Sequence, residues 1–300
     1  MPTVNLPNRG TMAYRWSGEG PDTVVLVNGT AFNFHQWDLR ALSILHKGLA
    51  GQCRFLQYDY VGIGGSSRKT APFRMLDLAD ELRDLLDALS VDRVHLLGVS
   101  KGSLVGQAFL IRHQDRAQSF CGLGNPNLLS EQAGPSFSQF QERLEALQEI
   151  SDLWPQRIDR DNFGQVFNLV YVPSLFLKPA KDLSLTERVR AAIMRRMIYP
   201  AMEGTYIQSM VDLFAYYTGE IAQEAPAFAE GLPKVRGVPI LLLNGKADTT
   251  TPVQMSRELA AVLPDAELVE FEGVTHMGAM ALKKQAEPVF QRYVAFLGRG

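Results

Sequence analysis

Two stretches of this sequence are apolar at nearly every position. Residues 23–27 read Thr-Val-Val-Leu-Val, and residues 239–243 read Pro-Ile-Leu-Leu-Leu. A strand with one wet face alternates apolar and polar residues, so a continuous run demands burial on both faces. Four more short runs join them, at 54–58, 93–97, 120–123 and 266–271. Amphipathic stretches lie between the runs. Residues 75–89 carry Leu76, Leu78, Leu82, Leu85, Leu86 and Leu89 at helical spacing, with acidic residues interleaved. Residues 103–112, 252–263 and 281–297 read as further helices. The alternation predicts an α/β architecture, a mostly parallel sheet with helices on both faces. Residues 3–16, broken by Pro7-Asn8-Arg9-Gly10, read as an antiparallel opening hairpin.

From 126 to 232 no buried strand is visible. Helical patterns rich in aromatics take over, among them Phe137, Phe140, Trp154, Phe163, Phe214 and Tyr217, and Pro155, Pro173, Pro179 and Pro200 divide them. We expect a helical lid at 126–232, inserted into a core domain made of 1–125 and 233–300.

With 46% hydrophobic residues in 300, the chain can bury a large core. Lys and Arg total 30 against 32 Asp and Glu, a net charge of −2, which argues against a nucleic-acid partner. The cysteines Cys53 and Cys121 are too few for a disulfide framework or a Cys-rich zinc site, and both sit in apolar runs. His35, His46, His95, His113 and His276 show no metal-motif spacing, so neither metal nor cofactor is expected. Residues 1–10 lack the pattern of a signal peptide, and no apolar run approaches the ~20 residues of a membrane span. The expectation is a soluble, cytoplasmic protein acting on a small molecule.

The strongest chemical signal is Gly98-Val99-Ser100-Lys101-Gly102, with a strand before it and a helix after it. That is the setting of a nucleophile elbow, in which a strained turn lifts the serine hydroxyl clear of the sheet. A serine hydroxyl needs a base. His276, in Gly273-Val274-Thr275-His276-Met277-Gly278 just after the sixth run, is the candidate. The base needs an acid to fix its tautomer. Asp248, in the loop after the fifth run, is the candidate, whereas Gly124-Asn125-Pro126-Asn127 after the fourth run offers none. Asp265 and Glu272 read as turn or surface carboxylates. Oxyanion donors are expected from the backbone N–H groups of Thr30, in Asn28-Gly29-Thr30-Ala31, and of Lys101.

These positions resemble the α/β-hydrolase superfamily. The match covers Asn28-Gly29, the turn Asp59-Tyr60-Val61-Gly62-Ile63-Gly64-Gly65-Ser66, Ser100, Asp248 with Pro252, and His276. The usual family loop reads His-Gly where this chain has Asn28-Gly29. The Asn-Gly pairs at 28–29 and 244–245, with Thr249-Thr250, also resemble the 3-hydroxyacyl-carrier-protein acyltransferase branch.

The resemblance implies a serine hydrolase of esters or thioesters, acting through Ser100, His276 and Asp248 and an acyl-enzyme. Two alternatives stay open: an acyltransferase that takes its acyl group from a carrier, and a non-hydrolytic binding protein on the same fold. Asn28, Gly29, Phe137 and Phe214 are the candidate substrate contacts. Lys101 is expected to turn its side chain toward the pocket or the lid. There it either pairs with a lid carboxylate or, with Arg188, Arg190, Arg195 and Arg196, meets an anionic part of a substrate.

Overall fold

The computed structural model describes residues 1–69, 71–176, 178–264 and 266–298. Eight strands form one sheet: β1 (Thr3–Leu6), β2 (Gly10–Gly18), β3 (Asp22–Val27), β4 (Cys53–Tyr58), β5 (Val94–Val99), β6 (Ala117–Leu123), β7 (Ile240–Gly245) and β8 (Ala266–Phe271). Their spatial order is β1-β2-β4-β3-β5-β6-β7-β8. β2 pairs antiparallel with β1 and with β4, and every other pairing is parallel. All six apolar runs are strands, and the opening segment is the antiparallel hairpin that its sequence predicts.

Side-chain alternation divides the core between the two faces. Val24, Leu26, Leu97, Val99, Leu241 and Leu243 pack on one side, while Val25, Val27, Leu96, Phe120, Ile240 and Leu242 pack on the other. Three helices follow the central strands in turn: α1 (Ala41–Gly48) after β3, α2 (Met75–Ala88) after β4 and α3 (Lys101–His113) after β5. Between β6 and β7 come α4 (Ala133–Gln148), α5 (Phe163–Val166), α6 (Val172–Phe176), α7 (Leu185–Met202), α8 (Ile207–Gly219) and α9 (Ala225–Gly231). α10 (Val253–Val262) follows β7, while α11 (Gly278–Ala281) and α12 (Lys283–Leu297) follow β8. α1 and α12 cover the first face, and α2 and α3 the second. Among the described residues no helix is long and apolar enough to cross a membrane.

The helical insertion is tied to the core at the loop after β3. The Asn33 side-chain amide donates to the carbonyls of Pro200 and Glu203 at 2.9 and 3.0 Å, and its backbone N–H donates to Ala201 at 2.8 Å. β3, β5, β6, β7 and β8 run in one direction, so the loops at their carboxyl ends gather along one edge of the sheet. In open parallel sheets that edge is where ligands bind.

Candidate active site

Ser100 is the single residue between β5 and α3, with φ +53° and ψ −119°. A side chain is strained at such angles and persists only where its surroundings dictate the conformation. Here they do. A Cβ on Gly98 would strike the Gly102 backbone, and a Cβ on Gly102 would strike the Val27 carbonyl oxygen. The Ser100 N–H donates to the Leu123 carbonyl at 2.9 Å. Strand, turn and helix therefore lock against one another. The helix starts at Lys101, two residues earlier than the apolar pattern suggests, so its first N–H groups lie beside Ser100.

Asp248 lies in the loop after β7 and His276 in the loop after β8. His276 Nδ1 and Asp248 Oδ2 are hydrogen-bonded at 2.7 Å. The Thr251 hydroxyl donates to the same oxygen at 2.9 Å, and the N–H groups of Thr250 and Thr251 donate to Oδ1 at 2.9 and 2.8 Å. Burial alone would push the Asp248 carboxyl up. The neighbouring His276, with the hydrogen bonds from His276 and Thr251, outweighs that and holds it below its ordinary value. Asp248 is thus kept ionised against one edge of the imidazole. Gly124, with φ +60°, lies close to the ring: a Cβ there would stand 3.2 Å from His276 Cε1. Asp248 and His276, the candidates for acid and base in the sequence, are thus brought together; Thr251 was not among the candidates. The available signal was the run of three threonines directly after Asp248.

Ser100 and His276 line a common cavity of about 110 Å³. Phe32, Phe140, Leu175, Ile198 and Phe214 supply much of its apolar wall. Phe214 is where the sequence put it, whereas Phe137 lines a small adjoining pocket with Ser100 and Thr30. Gly29 and Thr30 line the main cavity. The Gly29 N–H is taken by Gln36 Oε1 at 3.1 Å, and the Thr30 hydroxyl bonds the Tyr217 hydroxyl at 3.1 Å. Asn28 is not among the lining residues. Its side chain is a brace, donating to the Tyr58 carbonyl at 2.6 Å and accepting from Trp37 Nε1 at 2.8 Å.

Lys101 corrects an expectation. Its side chain is 2% exposed, and its Nζ lies 3.3 Å from the centroid of the Tyr60 ring. Among the described residues the amine has no hydrogen-bond partner, and no lid carboxylate pairs with it. Burial pulls the amine well below the ordinary lysine range. The nearby Lys69 charge adds to this, and Glu81 opposes it. The side chain is held by packing: its amine sits over the face of Tyr60, a fully buried ring. Arg188, Arg190, Arg195 and Arg196 are also absent from the cavity wall. Arg195 and Arg196 instead line a separate cleft with Arg160 and Asp161.

The other histidines have ordinary partners: His35 with Asp38, His46 with Ser17, His95 with Ser119 and His113 with Asp80. Glu272 pairs with Lys246 at 2.6 Å on the surface. Asp265 lies outside the described residues. Among the described residues no cluster of His, Cys, Asp and Glu could hold a metal ion.

Residues 22–280 match the family model described as the alpha/beta hydrolase fold. The chain belongs to the α/β-hydrolase family. The matched span includes Ser100, Asp248 and His276. Among its relatives is RutD of Pantoea ananatis, which carries the name of a carbamate hydrolase; the two are 27% identical over 82% of this chain and 78% of that one. Another is the Pseudomonas putida 2-hydroxy-6-oxononadienedioate/2-hydroxy-6-oxononatrienedioate hydrolase 2, 25% identical over 95% of this chain and 90% of that one. The crystal structure of a hydrolase from Pseudomonas aeruginosa PA01 superposes with a TM-score of 0.71 at 23% identity, covering 99% of this chain and 98% of that one, and shares the α/β-hydrolase fold. These relatives lend no support to the acyltransferase branch.

Proposed function

We propose that this α/β-hydrolase cleaves a carboxylic ester or thioester through a serine acyl-enzyme. The observation that carries the reading is the 2.7 Å hydrogen bond between Asp248 and His276, made beside the cavity that the strained Ser100 enters. With Nδ1 committed to Asp248, the remaining ring nitrogen, Nε2, serves as base. In this reading Ser100 Oγ attacks the substrate carbonyl as Nε2 takes its proton. The same proton then passes to the departing alcohol or thiol. Water, deprotonated by His276, breaks the acyl–serine bond and regenerates the hydroxyl. The backbone N–H groups of Thr30 and Lys101 hold the oxyanion in both halves of the reaction. Since Gln36 engages the Gly29 N–H, Thr30 is the better donor in that loop. Residues 126–232 act as the lid on the core of 1–125 and 233–300, and their aromatics favour an apolar group beside the scissile bond.

The test is labelling with a fluorophosphonate, which reacts quickly only with an activated serine. Wild type is expected to label at Ser100, and Ser100→Ala to label not at all and to lose about 10⁴- to 10⁶-fold in kcat. Labelling that persists in Ser100→Ala would overturn the assignment.

A further inference from the structure

The cavity wall contains one permanently charged side chain among its described lining residues, Arg143 of α4. Within α4 it shares a face with apolar residues. Phe140, Arg143 and Leu147 fall on one stripe at i, i+3 and i+7, and Leu147 is fully buried. The guanidinium carbon lies 4.7 Å from the centroid of the Phe140 ring, which itself lines the cavity. Tyr171, another lining residue, carries a phenol close enough to influence Arg143, as does Tyr217, which bonds Thr30. Arg143 also lines a second, outer cleft, with Asn168, Pro173 and Lys181 among its walls. It therefore stands in the partition between that outer cleft and the cavity holding Ser100 and His276.

A guanidinium on the wall of a cavity offers a substrate a fixed positive charge. A guanidinium has five N–H donors, enough to keep contacts within the protein and still present a fork to a carboxylate. Arg143 and Ser100 line the same cavity. We propose that Arg143 is the anchor for an anionic group carried by the substrate, so that the preferred ester or thioester bears a carboxylate on the far side of its acyl chain. This rests on the serine-hydrolase reading above and deepens it: Ser100 sets the chemistry, and Arg143 sets which acyl chains reach it. It also replaces Lys101 and the α7 arginines as the source of anion recognition.

The experiment compares ethyl hexanoate with monoethyl adipate, in which the terminal methyl becomes a carboxylate. Hydrolysis is followed by proton release in wild type and in Arg143→Met, with fluorophosphonate labelling run on both. In parallel, free adipate is tested for a salt-sensitive rise in melting temperature, which requires no chemistry. Wild type is expected to prefer the half-ester, and Arg143→Met to lower the half-ester to hexanoate ratio of kcat/KM at least tenfold, mostly through KM. Adipate is expected to stabilise wild type and not the variant. If the ratio is unchanged in Arg143→Met, or if adipate stabilises both proteins equally, the anchor is wrong even though Ser100 labels. Should adipate bind through Arg143 while Ser100 fails to label, the anchor stands and the serine reading falls.

Discussion

At the scale of single residues, the site depends on how Asp248 is held. Four donors converge on its two oxygens, and one of them is the imidazole. Asp248→Asn keeps the shape but exchanges an acceptor for a donor against Nδ1, favouring the wrong tautomer. A loss of about 10⁴ in kcat is expected. Thr251→Val removes only the hydroxyl that donates to Oδ2. A hydrogen bond to a charged group is worth about 1.5–3 kcal/mol, so kcat should fall roughly tenfold or more with KM little changed. Steady-state kinetics on one ester separates these outcomes, and a Thr251→Val enzyme with wild-type kcat would show that Thr251 does not orient the acid. Ser100, Asp248 and His276 were legible because each sits next to a strand end that the sequence makes plain. Thr251, Gln36 and Arg143 were not. Their roles depend on contacts made in space or on which way a helix turns, and neither leaves a local period to read. Lys101 was misread for a related reason: its position in the chain is clear, but its side chain is placed by a contact in space, with Tyr60.

At the scale of elements, the elbow works because α3 lies unusually close to the sheet. Gly102 is where that approach is tightest, since a Cβ there has nowhere to go but into the Val27 carbonyl. Gly102→Ala is expected to cost more than about 2 kcal/mol through overpacking and to disturb Ser100 with it. Gly134 makes the contrast. It lies in the first turn of α4, and a Cβ there meets nothing within 4 Å. Gly134→Ala should stabilise the protein by roughly 0.5–1 kcal/mol, because alanine loses less entropy in a helix. Urea unfolding of both variants checks the pair, and equal effects would contradict the close packing. The strands were readable for the same reason that this packing is tight: both faces of the central sheet are buried, so its sequence carries continuous apolar runs. α1 was harder to see. It is eight residues long and only Ala41 and Leu45 are buried in it, too short a stripe to stand out.

For the whole molecule, the loop after β4 couples folding to pH. Asp59 is 1% exposed, and its carboxylate accepts the N–H groups of Phe34 and Gly65 at 2.8 and 2.9 Å. One donor comes from the turn after β3 and the other from Asp59's own loop, so the residue ties together the two loops that flank the cavity side of the sheet. Burial pushes its carboxyl up to about 6 despite those two hydrogen bonds. In the unfolded chain it returns to the ordinary value of 3.8. The folded form therefore holds its proton more tightly than the unfolded form. Its contribution to stability is complete below pH 4 and is lost as pH rises through about 6. Across that window the difference amounts to about 3 kcal/mol at 1.36 kcal/mol per pH unit. Carboxylates held low, such as Asp248, act in the opposite sense, but only at more acid pH. Denaturant unfolding of wild type and Asp59→Asn from pH 4 to pH 8 isolates the effect. The variant will be less stable throughout, because its amide cannot accept both N–H donors, and the gap between the two proteins should narrow as pH rises from 4 to 7. A constant gap across that range would mean that Asp59 titrates at the same pH folded and unfolded, and that the two loops are joined without a buried proton.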